Sequence, residues 1–203
     1  LMGHSQTIYD IFDQVMADEI FYQQSGGGIT VSGGEPLAQP DLVADLLERC
    51  QKAGLHTTLD TSGYAGWAAI EQVMRHVDLV LYDFKHMDPE AHQRLTGVSN
   101  ELILENAKRI YHELAVPIKA RVSVVPGFND TAENISAMAK FVAEELDPSV
   151  EVHLLPYHRL GEAKREQLEQ PDGALDITPP EQAHLLDLQK IVEASGLIVH
   201  IGG

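Results

Sequence analysis

The chain has 203 residues, 44% hydrophobic and 22% charged, which suits one soluble globular domain, or a large part of one, with a substantial core. Its 14 basic residues against 31 acidic ones leave a net charge of −17, which excludes a nonspecific grip on nucleic acid. A single cysteine, Cys50, excludes an internal disulfide and any cysteine-rich metal site, and no apolar run is long enough to span a bilayer or to read as a signal peptide. A cytoplasmic protein is expected. Because the chain opens on Leu1 rather than methionine, it is read as a piece of a longer protein.

In chain order, short β-rich runs alternate with longer amphipathic ones. Strands are predicted at 28–32, 55–60, 78–84, 118–125, 150–155 and 197–201. Between them, Leu42, Val43, Leu46, Leu47 and Cys50 form a helical stripe stopped by Gly54, and Leu102, Leu104, Ala107, Ile110, Tyr111 and Leu114 form a second. Asp88-Pro89 and Thr178-Pro179 read as caps followed by proline at the first helical position. Asn129 or Asp130 is expected to cap a helix running to about Leu146, and Gly196 to close the last one. Strand, helix, strand at this spacing predicts βαβ units and a parallel sheet. Six strands fall short of a full eight-fold barrel of about 250 residues, so the expected fold is α/β, a partial, open TIM-like barrel.

Each of the first five strands hands over to chemically loaded residues: SGGEP after the first, DTSG after the second, DFKHM after the third, PGFND after the fourth, PYHRLG after the fifth. In parallel α/β folds ligands bind at the C-terminal ends of the strands, so one polar site at that end is expected. Asp83 and Lys85, two apart, share a face of the third strand. Lys119, Arg121 and Ser123 share a face of the fourth, which predicts a partly wet interior there. Each feature also has a plain structural reading. The glycines around 28–32 can be a ligand-free turn, Asp83 and Lys85 an internal ion pair, Asp60 a turn cap, and Cys50 a core residue. No histidine pair has HExxH or comparable metal-binding spacing.

Taken together, GGGITVSGGEP (26–36), HTTLDTSG (56–63), DLVLYDFKHMD (78–88), HQRLTGVSN (92–100), RVSVVPGFND (121–130) and LLPYHRLG (154–161) resemble the radical S-adenosylmethionine activating enzymes of glycyl radical enzymes, the group that includes pyruvate formate-lyase activase. The resemblance runs in order over nearly the whole chain, 1–203, as a radical SAM core domain without its first βα unit. It implies that Gly33, Gly34 and Glu35 cradle the methionyl amino group of S-adenosylmethionine, that Asp83 and Lys85 contact its methionyl and ribose parts, and that His158 meets the ribose hydroxyls. It further implies a monovalent cation held by Asp60, Thr61 and Asp83, and Arg121 facing the glycine loop of a glycyl radical enzyme partner.

The family's [4Fe–4S] cluster is held by a CxxxCxxC motif, reduced by an electron donor such as flavodoxin or ferredoxin. The reduced cluster cleaves the cofactor, and the resulting 5′-deoxyadenosyl radical abstracts hydrogen from the partner's glycine Cα. Three thiolates are needed and this chain has one, so by itself it is expected to bind S-adenosylmethionine weakly at most and to be inactive. FYQQ at 21–24 resembles the larger activases that carry extra ferredoxin-like clusters. Two rival functions are a TIM-barrel lyase or aldolase using Lys85 as Schiff-base nucleophile, and a non-catalytic docking fragment. The exposed first strand edge also suggests dimerisation.

Overall fold

The computed structural model describes residues 6–158 and 177–202. In order these hold α1 (Ile8–Met16), α2 (Glu19–Ser25), β1 (Gly28–Val31), a 3-10 turn (Pro36–Ala38), α3 (Pro40–Lys52), β2 (His56–Thr61), α4 (Trp67–Met74) and β3 (Leu79–Asp83). There follow α5 (Pro89–Thr96), α6 (Glu101–His112), β4 (Ile118–Val124), α7 (Ala132–Phe141) with a π-turn over Val142–Leu146, β5 (Val152–Pro156), α8 (Gln182–Glu193) and β6 (Val199–Ile201). The strand order is β1-β2-β3-β4-β5-β6. The α/β class, the six strands and the open, partial-barrel order are as the sequence predicts. No helix among the described residues is long and apolar enough to cross a membrane.

The chain divides into two compact units, one of the described residues up to Asp83 together with Asn100–Lys119, the other of Phe84–Ser99 together with the described residues from Ala120 onward. In the first, β2 pairs in parallel with β1 and β3, in the registers Thr58↔Thr30 and Asp60↔Leu81. Val43, Leu46, Leu47 and Cys50 of α3 are buried, a spacing that lays them on one helical face. Leu42, expected in that stripe, is 39% exposed. Its place beside Val43 puts it about 100° off the buried face. Two helices that are not among the predicted elements cover this end: Ile8, Ile11, Phe12, Val15 and Met16 of α1, at the i, i+3, i+4, i+7, i+8 spacing of an amphipathic helix, and Tyr22 of α2 pack on Leu46, Cys50 and Leu55. A capping box starts α1, with Asp10 N–H donating to Thr7 Oγ1 and Thr7 N–H to Asp10.

The second stripe is also phased differently from its prediction. Ile103, Asn106, Ala107 and Ile110 form the buried face of α6, while Leu102 is 41% exposed. A polar residue, Asn106, therefore occupies a core position. The Arg109 guanidinium lies 3.7 Å over the Trp67 ring and is held there by Glu113, whose carboxylate accepts from both Nε and Nη2.

In the second unit, β5 pairs in parallel with β4 and β6. Strand β4 alternates as predicted: Ile118, Ala120, Val122 and Val124 are buried, and Lys119, Arg121 and Ser123 half-buried. Ile135, Met138 and Ala139 of α7 and Leu185, Leu188 and Val192 of α8 bury the apolar faces of two neighbouring helices. Asp88 caps α5 as expected, its carboxylate accepting from Ala91 N–H. Two caps fall elsewhere. Thr131, not Asn129 or Asp130, caps α7 by accepting from Asn134 N–H, and α8 starts after Glu181 rather than at Thr178-Pro179. The first shift frees Asn129 to hold backbone carbonyls distant in the chain.

Candidate functional site

The loop after β1 is fixed by its acid. Glu35 Oε1 accepts from Leu37 N–H at 3.1 Å and from the Thr61 hydroxyl at 2.6 Å. Oε2 accepts from Ser62 N–H at 3.0 Å and the Ser62 hydroxyl at 2.6 Å. The carboxylate thus ties the turn after β1 to the end of β2. Its two glycine neighbours are left bare: Gly33 has φ 134°, and a Cβ added at either Gly33 or Gly34 would meet no atom within 4 Å. Among the described residues the glycines are therefore not demanded by packing, and positive φ explains only Gly33. Beside them, Ser32 donates to Asp60 at 3.2 Å.

Behind Glu35 the turn after β2 is braced from α6. Asn106, 1% exposed, donates to the carbonyls of Gly63 at 2.8 Å and Ala65 at 3.0 Å, which is why an amide interrupts that helix's apolar face. Gly63, at φ 72°, sits so close to Tyr82 that a Cβ would collide with the phenol ring. Tyr82 is fully buried and donates to Ile103 carbonyl at 2.6 Å. Burial, and secondarily the Glu35 charge, push its hydroxyl far above the ordinary range. Glu35, Asp60, Thr61 and Asp83 all occupy the C-terminal ends of the parallel strands of this unit.

In the second unit, Lys85 lies two residues past the end of β3. Asn129, 3% exposed, clamps it: its amide donates at 2.8 Å to the carbonyls of both Lys85 and Ser123, and its oxygen accepts from Val125 N–H. Asn134 holds the clamp, donating to Asn129 carbonyl and accepting from Met87 N–H. A cavity of about 440 Å³ opens beside it, walled by Lys85, Arg94, Thr96, Ser123, Phe128 and Asn129. Two cations, two hydroxyls and the Asn129 amide beside Leu95, Val125 and Phe128 suit an organic ligand with an anionic group. Next to it the His86 imidazole is pushed down by burial, with Asp88 opposing. Arg121 stands half-buried in β4 in register with His153. His158 is exposed, two residues beyond β5; the rest of the predicted LLPYHRLG stretch, from Arg159, lies outside the described residues.

Glu35 and Thr61 are thus brought into direct contact, and Lys85 and Ser123 share one cavity wall. The braces Asn106, Asn129 and Asn134 are not among the site residues that the sequence predicts. Asparagines set in otherwise apolar or Gly-Pro-rich segments are the only signal it offers for them.

One cofactor of the resembling family can be tested on chemistry alone. The lone Cys50 is fully buried on α3, its thiol pushed up by burial. This chain's residues do not fit a [4Fe–4S] cluster, which takes thiolates from several cysteines.

The Radical SAM superfamily model matches residues 8–142. The isethionate sulfite-lyase activating enzyme of Oleidesulfovibrio alaskensis is 45% identical over 163 residues, 80% of this chain and 52% of that protein. The trans-4-hydroxy-L-proline dehydratase activating enzyme of Clostridioides difficile is 36% identical, covering 100% of this chain and 67% of that one. A crystallised domain of pyruvate-formate lyase-activating enzyme from Bacteroides vulgatus superposes with a TM-score of 0.72 at 34% identity, covering 87% of this chain and 99% of that domain. The chain therefore spans between half and two thirds of the length of such curated relatives. On the matched family model and these relatives, the chain belongs to the radical SAM superfamily and, within it, to the activating enzymes of glycyl radical enzymes.

Proposed function

We propose that this chain is the S-adenosylmethionine-cradling part of an activating enzyme whose substrate is a glycine loop of a glycyl radical enzyme. The observation that carries the reading is the Gly33-Gly34 turn: open around both Cα positions among the described residues, conformationally demanding at Gly33, and pinned by the four hydrogen bonds that Glu35 accepts. When bound and reduced, S-adenosylmethionine supplies a 5′-deoxyadenosyl radical for hydrogen abstraction, a chemistry belonging to the cofactor rather than the protein.

The chain's own residues bind and orient. Backbone at Gly33 and Gly34 receives the methionyl amino group, Glu35 acting as the brace rather than the contact because both its oxygens are already occupied. Asp83 and Lys85 take the methionyl and ribose parts, and His158 the ribose hydroxyls. A monovalent cation would sit by Asp60, Thr61 and Asp83. Arg121 faces the partner's loop. A flavodoxin- or ferredoxin-like electron donor would be a further partner of the activating enzyme, and this chain, with its single buried cysteine, alone binds the cofactor weakly and turns nothing over.

Calorimetric titration of the chain with S-adenosylmethionine tests this. Asp83→Ala and Lys85→Ala are each expected to weaken binding about tenfold, ~1.4 kcal/mol, with circular dichroism unchanged. Equal affinity in both variants and the parent would refute it.

A further inference from the structure

At the end of β5 opposite the cofactor side, three side chains converge that the proposed reaction does not use. Glu151 precedes β5, His153 is its second residue, and His200 is the ladder partner of His153 on β6. Alternation along β5 puts positions 151 and 153 on one face, and the His153 and His200 rings lie 5.0 Å apart, tilted by 37°. Glu151 Oε2 is 3.7 Å from His153 Nε2 and 3.9 Å from His200 Nε2, and one ligand atom from each residue falls within 4.8 Å of the others.

The hydrogen bonding of His153 makes this more than proximity. Its Nδ1 lies 3.2 Å from the carbonyl of Gly202. A carbonyl can only accept, so the proton of a neutral ring sits on Nδ1 and Nε2 is left as a bare lone pair. That Nε2 is buried and meets no hydrogen-bonding partner among the described residues. A buried acceptor with no donor is costly. An imidazole whose far nitrogen is oriented by a backbone carbonyl is the usual arrangement of a metal-ligating histidine. The Gly202 carbonyl is itself held, since Gly202 N–H donates to Leu154 carbonyl at 2.9 Å.

We propose that Glu151, His153 and His200 form a binding site for a divalent transition-metal ion of the Zn²⁺ class. Two imidazoles and a carboxylate are a donor set that Zn²⁺, Co²⁺ and Ni²⁺ accept, and it leaves a coordination position for water. Tetrahedral ligands at ordinary Zn–N and Zn–O lengths lie about 3.3 Å apart. The two Glu151–histidine distances must therefore contract by roughly half an ångström and the two imidazole nitrogens close from within 4.8 Å; the side chains that must move, Glu151 and His200, are 35% and 50% exposed. Arg121, in register with His153 on β4, adds a positive charge beside the site, so the ionised Glu151 is required to offset the incoming ion. A metal here would cross-link β5 to β6 at the last strand of the sheet.

The test is a titration of the full chain with Co²⁺, read by its visible d–d absorption, followed by displacement with Zn²⁺. One Co²⁺ per chain is expected, with the intense bands of a low-coordinate site. His153→Gln, His200→Gln and Glu151→Gln should each weaken it at least about tenfold, and His112→Gln on α6 should leave it unchanged. Circular dichroism checks each fold. Should His153→Gln not fold, the half-exposed His200→Gln decides. No stoichiometric Co²⁺ uptake, uptake that survives His200→Gln, or only several weak ions without a defined spectrum overturns the proposal.

Discussion

Glu35→Gln isolates what the GGEP turn owes to one negative charge. The carboxylate accepts four hydrogen bonds, of which Leu37 N–H and Ser62 N–H come from the backbone and cannot reverse direction. An amide placed there keeps one oxygen and turns the other into a donor. Whichever way it flips, one backbone N–H and one hydroxyl then face an N–H group. The hydroxyl can rotate; the backbone donor cannot, and it loses its acceptor. Losing one charge-assisted bond costs about 1.5–3 kcal/mol, and weakening the others to neutral bonds adds to that. Partial solvent access of Glu35 moderates the sum, so we expect about 2–4 kcal/mol. Urea denaturation of the parent and variant, with the slope checked for equality, measures it. Glu35→Ala should be similar or milder, because water can enter to serve the freed donors. A Glu35→Gln chain within about 0.5 kcal/mol of the parent, the range of an ordinary surface change, would show that the four bonds do not hold this turn.

Two other perturbations probe the same unit. Gly63→Ala meets both a left-handed backbone at φ 72° and the Tyr82 ring, so it should cost more than about 3 kcal/mol, read as a fall in the urea midpoint. At the other end of β2, burial alone would raise the Asp78 carboxyl, but donation from Thr57 N–H at 2.8 Å and the Thr57 hydroxyl at 3.0 Å outweighs it and holds it below its usual 3.8. The folded state therefore binds this proton less readily than the unfolded one. Its stabilisation is complete above the usual value and is lost as pH falls through the lowered one. The stability gap between the parent and Asp78→Asn should be constant near neutrality and shrink below about pH 3.8, as urea midpoints across a pH series would show.

All six strands are legible in the sequence because short runs rich in β-branched and apolar residues, alternating buried and half-buried in β4, are set off from the helical stripes between them, and the handover to polar residues after the first five runs locates the site end. Helix phases are less legible. In α6 the run of apolar residues at 102–104 admits two faces, and the choice is made by Asn106, whose carbonyl partners at Gly63 and Ala65 are some forty residues away in the chain. The α7 cap is misplaced in the sequence reading for a related reason. Asn129, Asp130 and Thr131 are all competent caps, and the long-range demand of the Lys85 carbonyl removes the first from local service. Sequence shows which groups can bind and not which are already engaged, and the four hydrogen bonds that Glu35 accepts become visible only in the fold. Helix α1 does leave a signal that the predicted elements omit: Ile8, Ile11, Phe12, Val15 and Met16 follow the helical period after the Thr7–Asp10 capping box, and they pack on Leu46, Cys50 and Leu55.

Trp67 is the only tryptophan in the chain, and Arg109 lies flat against its indole. That contact makes the tryptophan fluorescence a spatially selective optical reporter: emission tracks the unit built around β1–β3, where Trp67 and Arg109 both reside. A melt followed by fluorescence and one followed by far-ultraviolet dichroism thus sample different portions of the molecule. Coincidence of the two curves would be a direct optical signature that the halves unfold as one cooperative body.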